Sequence, residues 1–201
     1  MRIVIVKQGT KYDSLDVNSI YNQLKAVGHE TITCLSDTDD HLPETIFLRY
    51  GYEGWWSKLE LFSPELEHLR PFLFLDLDTI VTANLNEFQA CGDEFYMLRD
   101  FYRPNGGQSA MMWLPKDTSD IWNVWMQDPE WHMTKHRGDQ DFLELFDFCI
   151  IQDKFDGHVS YKADNLAAEC PANAKTIHFH GKPKPRETTG WAHDYWKRHA
   201  E

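Results

Sequence analysis

The run Phe72-Leu73-Phe74-Leu75-Asp76-Leu77-Asp78-Thr79-Ile80-Val81 constrains the fold more than any other part of this 201-residue chain. An apolar stretch this short, bounded by turn-forming residues, reads as a strand buried on both faces, and such strands belong to sheets covered by helices on either side. Two carboxylates, Asp76 and Asp78, stand two residues apart where that strand ends. In extended chain such side chains point the same way, so both reach one point in the crevice where open α/β sheets bind ligands. Paired carboxylates losing hydration at the rim of a core repel each other, and a cation is their natural partner. All-oxygen ligation suits manganese or magnesium, usually shared with substrate phosphates. A lone DxD is more often a strand running into a solvated turn, but the apolar lead-in and the motifs further along favour a site.

The chain before this run builds a β-α-β unit of the right length for a parallel sheet. Ile3, Val4, Ile5 and Val6 form a first strand, and Val17, Ile20, Tyr21, Leu24 and Val27 line one helical face. That helix is capped at Asp13 or Ser14 and stopped by Gly28. Thr31 to Leu35 makes the second strand. The loop after the first strand lacks GxGxxG and GxxxxGK[ST], which removes the common dinucleotide and P-loop sites. Lys7 and Tyr12 in that region are candidates for contacting a base or ribose. Residues 37 to 48 are polar, broken by proline and expected to be irregular. Lys58, in a short helix carrying Leu59, Leu61 and Phe62, precedes the central strand closely enough to approach the crevice.

Beyond it, strands are expected over Glu94 to Leu98 and Gln108 to Leu114, with Gln108 and Ser109 at the entrance of the second. The loop between them mixes charge, aromatics and glycines, as substrate-binding loops do. A helix bearing Ile121, Trp122, Trp125 and Met126 ends near Pro129, and another opens at Asp139-Gln140-Asp141. Acidic residues in a first turn serve as caps; beside a crevice they also orient hydroxyl groups. Strands follow at Phe148 to Ile151 and His158 to Lys162, and Thr176 to Pro185 closes the core. Alternation there sends Ile177 and Phe179 to one face and His178 and His180 to the other, so either histidine can be a third metal ligand. Gly181 lets backbone approach a phosphate, and Lys184 neutralises it.

One α/β domain over residues 1–201 accounts for this length. With 20 Lys plus Arg against 32 Asp plus Glu, the net charge of -12 disfavours a phosphate-backbone footprint, so no nucleic-acid partner is expected. The opening apolar run is too short for a signal peptide, and no stretch approaches a transmembrane span. Cys34, Cys91, Cys149 and Cys170 are scattered without metal-type spacing, as in a reducing compartment, and a cytoplasmic location is expected.

Three motifs in order, the apolar strand ending in Asp76-x-Asp78, the Asp139-Gln140 helix start and the HFxGxxKP run from His178 to Pro185, resemble nucleotide-sugar glycosyltransferases of the GT-A fold. The similarity is greatest to glycosyltransferase family 8 and related small bacterial and viral enzymes, and it covers most of the chain. The resemblance implies a Rossmann-like single domain with a mixed, mainly parallel sheet. It implies that Asp76, Asp78 and a histidine hold Mn2+ (or Mg2+), which as Lewis acid stabilises the leaving diphosphate of a UDP-sugar, with Lys184 and the Gly181 amide assisting. HFxGxxKP points to His178 as that ligand, while the related FHGxPxP spelling points to His180. Lys58 matches the family lysine before DxD, and Gln108-Ser109 stands where the family has Asn-Ser on a donor-facing strand. Asp139, Gln140 and Asp141 would position the sugar or the attacking hydroxyl. Hexosyl transfer with retained anomeric configuration is the expectation for family 8; the acceptor, whether glycan, protein or small molecule, is left open. Arg186 replaces the tryptophan that often follows the KP pair.

Two other readings compete. Leu75 to Thr79 also resembles the first motif of haloacid-dehalogenase-type phosphatases, with Asp76 as nucleophile, Asp78 as general acid and Mg2+ between them. That motif normally lies on the first strand, and Thr79-Ile80 replaces its usual Gly-Thr. A non-catalytic nucleotide-sugar-binding module is the third, and the presence of every candidate site residue speaks against it.

Overall fold

The structure, a computed structural model, describes residues 1–39, 42 and 44–201. Strands β1 (Arg2–Lys7), β2 (Thr31–Ser36), β3 (Thr45–Phe47), β4 (Phe72–Leu75), β6 (Tyr96–Arg99), β7 (Gly107–Leu114) and β8 (Cys149–Ile150) form a seven-stranded sheet in the order β3-β2-β1-β4-β7-β6-β8. β3, β2, β1 and β4 pair in parallel, β7 runs antiparallel to β4 and β6, and β8 is parallel to β6. The sheet is therefore mixed and mainly parallel, as expected.

The period-2 pattern of β1 and β4 feeds two cores. Ile3, Ile5, Leu73 and Leu75 pack with Val17, Ile20 and Leu24 of α1 (Ser14–Ala26), while Val4, Phe72 and Phe74 meet Leu59, Phe62, Trp125 and Phe142 on the other face. Asp13 caps α1 by accepting from the N–H groups of Leu15 and Asp16, and the Asp16 carboxylate accepts from the Asp13 N–H in return.

The run over residues 72–81 is two strands rather than one. β4 stops at Leu75; β5 (Thr79–Val81) leaves for a second sheet, ordered β5-β10-β9, with β9 (His158–Ser160) and β10 (Thr176–His178). Asp76 to Asp78 is thus the crossing between two sheets. The Asp76 N–H donates to the Ala110 carbonyl at 2.8 Å, and the Asp78 carbonyl accepts from the Phe179 N–H at 3.0 Å, so both sheets fix the crossing.

Other boundaries shift for local reasons. β3 forms within the segment expected to be irregular, of which residues 40, 41 and 43 lie outside the described residues. Pro129 does not merely end α2 (Ser119–Trp125); it opens α3 (Pro129–Lys135), with Asp128 accepting from the Trp131 N–H at 2.9 Å. α4 is Asp139–Leu143, and α5 (Trp191–Ala200), unforeseen in the sequence, lies on α1, where the Ser19 hydroxyl donates to the Trp196 carbonyl.

Candidate active site

A cleft of about 520 Å³ opens beyond the carboxyl ends of β1 and β4. A second hollow of about 590 Å³, around Arg70 and Asp117, contains none of the predicted site residues. Tyr12, Lys58, Asp76, Asp78, Gln108, Ser109, Asp139, Gln140, His180, Gly181 and Lys184 all line the first, although they come from segments scattered along the whole chain.

The cleft has two halves. In one, the Lys58 ammonium lies 3.2 Å from each Asp76 carboxylate oxygen, 3.1 Å from Asp139 Oδ2 and 3.1 Å from Ser109 Oγ. The turn of 3₁₀ helix Gly54–Phe62 buries Leu59, Leu61 and Phe62 in the core and sends Lys58 to the floor of the cleft. Burial pushes the Asp76 carboxyl up to about 6, against the pull of Lys58 and with the help of Asp78 and Asp139. Burial alone would lower Lys58, but Asp139 and Asp76 more than offset it, so its pKa is raised and the ammonium persists.

In the other half, Lys184 bonds to Asp78 Oδ2 and donates to the Phe179 carbonyl at 3.1 Å. Burial, then the charges of Asp78 and Asp76, raise the Tyr12 phenol, so it stays protonated and donates to Asp78 Oδ2 at 3.0 Å. Lys11 and Lys184 stand 4.9 and 5.9 Å from the Tyr12 ring. Gly181, at φ 71°, takes a left-handed conformation that glycine adopts without strain, and a Cβ there would lie 3.2 Å from Lys162 Nζ.

Three expected site residues are not in the cleft. Alternation at the end of β1 turns Val6 toward it and Lys7 away, to Asp37 and Thr38. Asp141 is taken up by Arg137, whose Nε and Nη2 donate to it at 2.7 and 3.1 Å on the helix surface. His178 is buried with Nδ1 3.3 Å from Thr79 Oγ1 and Nε2 2.8 Å from Thr176 Oγ1, so both ring nitrogens already have partners. His180 lies past the end of β10, lines the cleft, and sets Nε2 2.6 Å from Ser160 Oγ.

Two carboxylates and an imidazole are donors that manganese accepts. Among the described residues, however, no three His, Cys, Asp or Glu are grouped so as to hold an ion, and lysines occupy both carboxylates. The donor chemistry fits a divalent cation; the arrangement is a pair of lysine–carboxylate contacts, not a formed cage.

Several participants escaped the sequence reading. Asp100 accepts from Gln140 Nε2 at 3.0 Å and from the N–H groups of Tyr102 and Arg103 at 2.8 and 3.1 Å, tying the loop after β6 to the start of α4. An aspartate followed by an aromatic-rich loop is the available signal, since such residues bond their own backbone two residues on. Lys11, Trp55 and Gln8 also line the cleft. Among the described residues Gln108 Oε1 is buried without a hydrogen-bond partner, an uncommon state for a native polar atom.

Behind the cleft, His158 Nδ1 and His178 Nε2 both lie 2.8 Å from Thr176 Oγ1. Burial, helped by Lys175, pulls His158 down to about 3. The unfolded chain therefore binds a proton that the native imidazole refuses, and stability falls as pH drops from ~6.5 toward 3. His158→Gln is expected to remove about 1.4 kcal/mol per pH unit from that slope in denaturant melts between pH 6 and 4. An unchanged slope would show that His158 titrates alike in both states.

No protein-family sequence model matches the chain, and no curated protein matches it by sequence. Solved structures do. The galactosyltransferase LgtC in complex with donor and acceptor sugar analogs superposes with a TM-score of 0.71 at 15% identity, over 100% of this chain and 95% of that one. The glycosyltransferase GlyE of Streptococcus pneumoniae TIGR4 gives 0.69 at 13%, over 99% of this chain and 59% of its own. A glycosyltransferase involved in glycosylation of the major capsid of PBCV-1 gives 0.59 at 12%, over 100% and 98%. The chain therefore has the GT-A glycosyltransferase fold, with its paired carboxylates at the sheet crossing.

Proposed function

We propose that this protein is a nucleotide-sugar glycosyltransferase that moves a hexose from a nucleoside-diphosphate donor, UDP-sugar first among candidates, to an acceptor hydroxyl. One observation carries the reading: in a GT-A fold, Asp76 and Asp78 share a cleft with His180, Gly181 and Lys184, residues drawn from distant segments. Lys184 and the Gly181 N–H would bind the leaving diphosphate, with Lys11 adding positive charge above Tyr12. Lys58, fixed by Asp76 and Asp139, would hold the transferred sugar, and Gln140, oriented by Asp100, would bond its hydroxyls. A divalent ion held by Asp76, Asp78 and His180 would supply further charge neutralisation at the diphosphate.

The phosphatase reading asks Asp76 to act as a nucleophile, yet Lys58 lies at bonding distance from both of its carboxylate oxygens. The test is to incubate the protein with UDP- and GDP-sugars under Mn2+, Mg2+ or chelator and to measure nucleoside diphosphate release. Release from a sugar nucleotide, with none of phosphate from p-nitrophenyl phosphate, is expected. The reverse pattern would install the phosphatase, and binding of UDP without turnover of any donor would leave the non-catalytic module.

A further inference from the structure

Gly54-Trp55-Trp56-Ser57-Lys58 splits its two indoles. Trp56 turns inward and stacks on Trp125 with centroids 5.5 Å apart. Trp55 turns outward at the cleft, 55% exposed, although tryptophan is among the side chains that gain most from burial. Its backbone is fixed there: the Gly54 N–H donates to Gln8 Oε1 at 2.6 Å, and the Ser57 hydroxyl donates to the Gly54 carbonyl at 2.7 Å. Its indole edge lies so close to Gly138 that a Cβ at that position would stand 3.3 Å from Nε1, so the ring rests on the backbone just before Asp139 and Gln140.

The two halves of the cleft assign this ring a ligand. The diphosphate end is the basic one, where Lys184, Lys11 and Gly181 surround Asp78 and Tyr12. Trp55 belongs to the other end, with Asp139, Gln140 and Gln8, which offers an apolar ring face beside carboxylate and amide groups. A pyranose has that combination of surfaces: axial C–H groups that pack on an aromatic ring, and equatorial hydroxyls that bond to side-chain amides and carboxylates. We propose that Trp55 is the platform on which a saccharide acceptor stacks, making it a specificity-determining residue for the acceptor rather than for the nucleotide. This rests on the transferase reading above.

Saturation-transfer NMR with methyl β-D-galactopyranoside, methyl α-D-glucopyranoside and lactose tests it, with glycerol as a polyol without a ring face. The ring C–H protons of at least one saccharide are expected to receive saturation that glycerol does not, both alone and with saturating UDP and MnCl2. Trp55→Ala is expected to reduce that signal at least fivefold and Trp55→Phe to keep most of it. Trp131→Ala, which removes an exposed indole outside the cleft, is expected to leave it unchanged. Equal signals in the native protein and Trp55→Ala overturn the proposal, as does displacement of the saccharide by UDP or the lack of any saccharide signal in the native protein. Failure of the transferase reading shows separately, as absence of sugar-nucleotide turnover in the native protein.

Discussion

Lys58→Met is expected to lower turnover about 10³-fold and to cost the fold about 3 kcal/mol at pH 7, because it strands two buried carboxylates at once. Asp139 is 5% exposed and its Oδ2 has the Lys58 ammonium 3.1 Å away. Asp76 loses the cation that most opposes the burial raising its pKa. Met restores the length and apolar stem of lysine, so the deficit reports charge rather than cavity. The sign of its pH dependence follows from Asp76. Its native pKa of about 6 lies above the unfolded value of ~3.9, so its contribution is most favourable below ~3.9 and is lost as pH rises through about 6. Without Lys58 that rise is larger, and the gap between variant and native protein should be widest above pH 6 and narrow toward pH 4. Urea melts in the presence of chelator at pH 4.5 and 7.5 measure this. A gap independent of pH, or below about 0.5 kcal/mol at pH 7.5, would show that the ammonium does not hold these carboxylates. Adding Asp139→Asn should recover part of the loss, since removing both partners of a buried pair costs less than removing one.

The parts of this fold that were legible in the sequence are those where one short pattern meets one solution. Ile3 to Val6 and Phe72 to Leu75 are apolar at every position, which a strand buried on both faces requires, and a cap at Asp13 or Ser14 with a stop at Gly28 brackets α1, whose N-cap is Asp13. That Asp76 and Asp78 would follow a buried strand and face one cleft was legible from the apolar lead-in and their spacing of two. What failed did so where local rules stop. Alternation placed His178 and His180 on one face, but β10 ends at His178, and beyond a strand's end the period of two no longer applies. The sequence offers Asp141 the same helix-start role as Asp139, but two residues apart on α4 they point to opposite sides, Asp139 to Lys58 and Asp141 to Arg137. The partnership of Asp100 with Gln140 joins residues 40 apart, and no spacing rule reaches across that distance.

On the proposed reading, a divalent ion entering the cleft would have to share Asp78 with Lys184. In the protein alone, the Lys184 ammonium bonds to Asp78 Oδ2, at a side chain only 9% exposed, so a divalent ion must displace or share with that lysine. Lys184→Met is therefore expected to have opposite effects on two ligands. Mn2+ alone should bind more tightly, because the carboxylate no longer has an internal counter-ion. UDP in the presence of Mn2+ should bind about 30–100-fold more weakly, the usual loss for one buried charge-assisted contact to phosphate. Asp78→Asn should remove Mn2+ binding and lower turnover by at least ~10³-fold, whereas the tyrosine hydroxyl of Tyr12 still finds an amide oxygen and the fold persists. Titration calorimetry of Mn2+ and of UDP against the native protein and both variants resolves the three effects. Should Lys184→Met weaken Mn2+ and UDP by the same factor, Lys184 would be acting through the fold of the cleft, not as a cation that yields Asp78 to the metal and then turns to the phosphates. Should Mn2+ bind the Asp78→Asn variant as well as the native protein, the ion would lie elsewhere, and Lys184 and Lys11 would be left as the cations proposed to face the diphosphate.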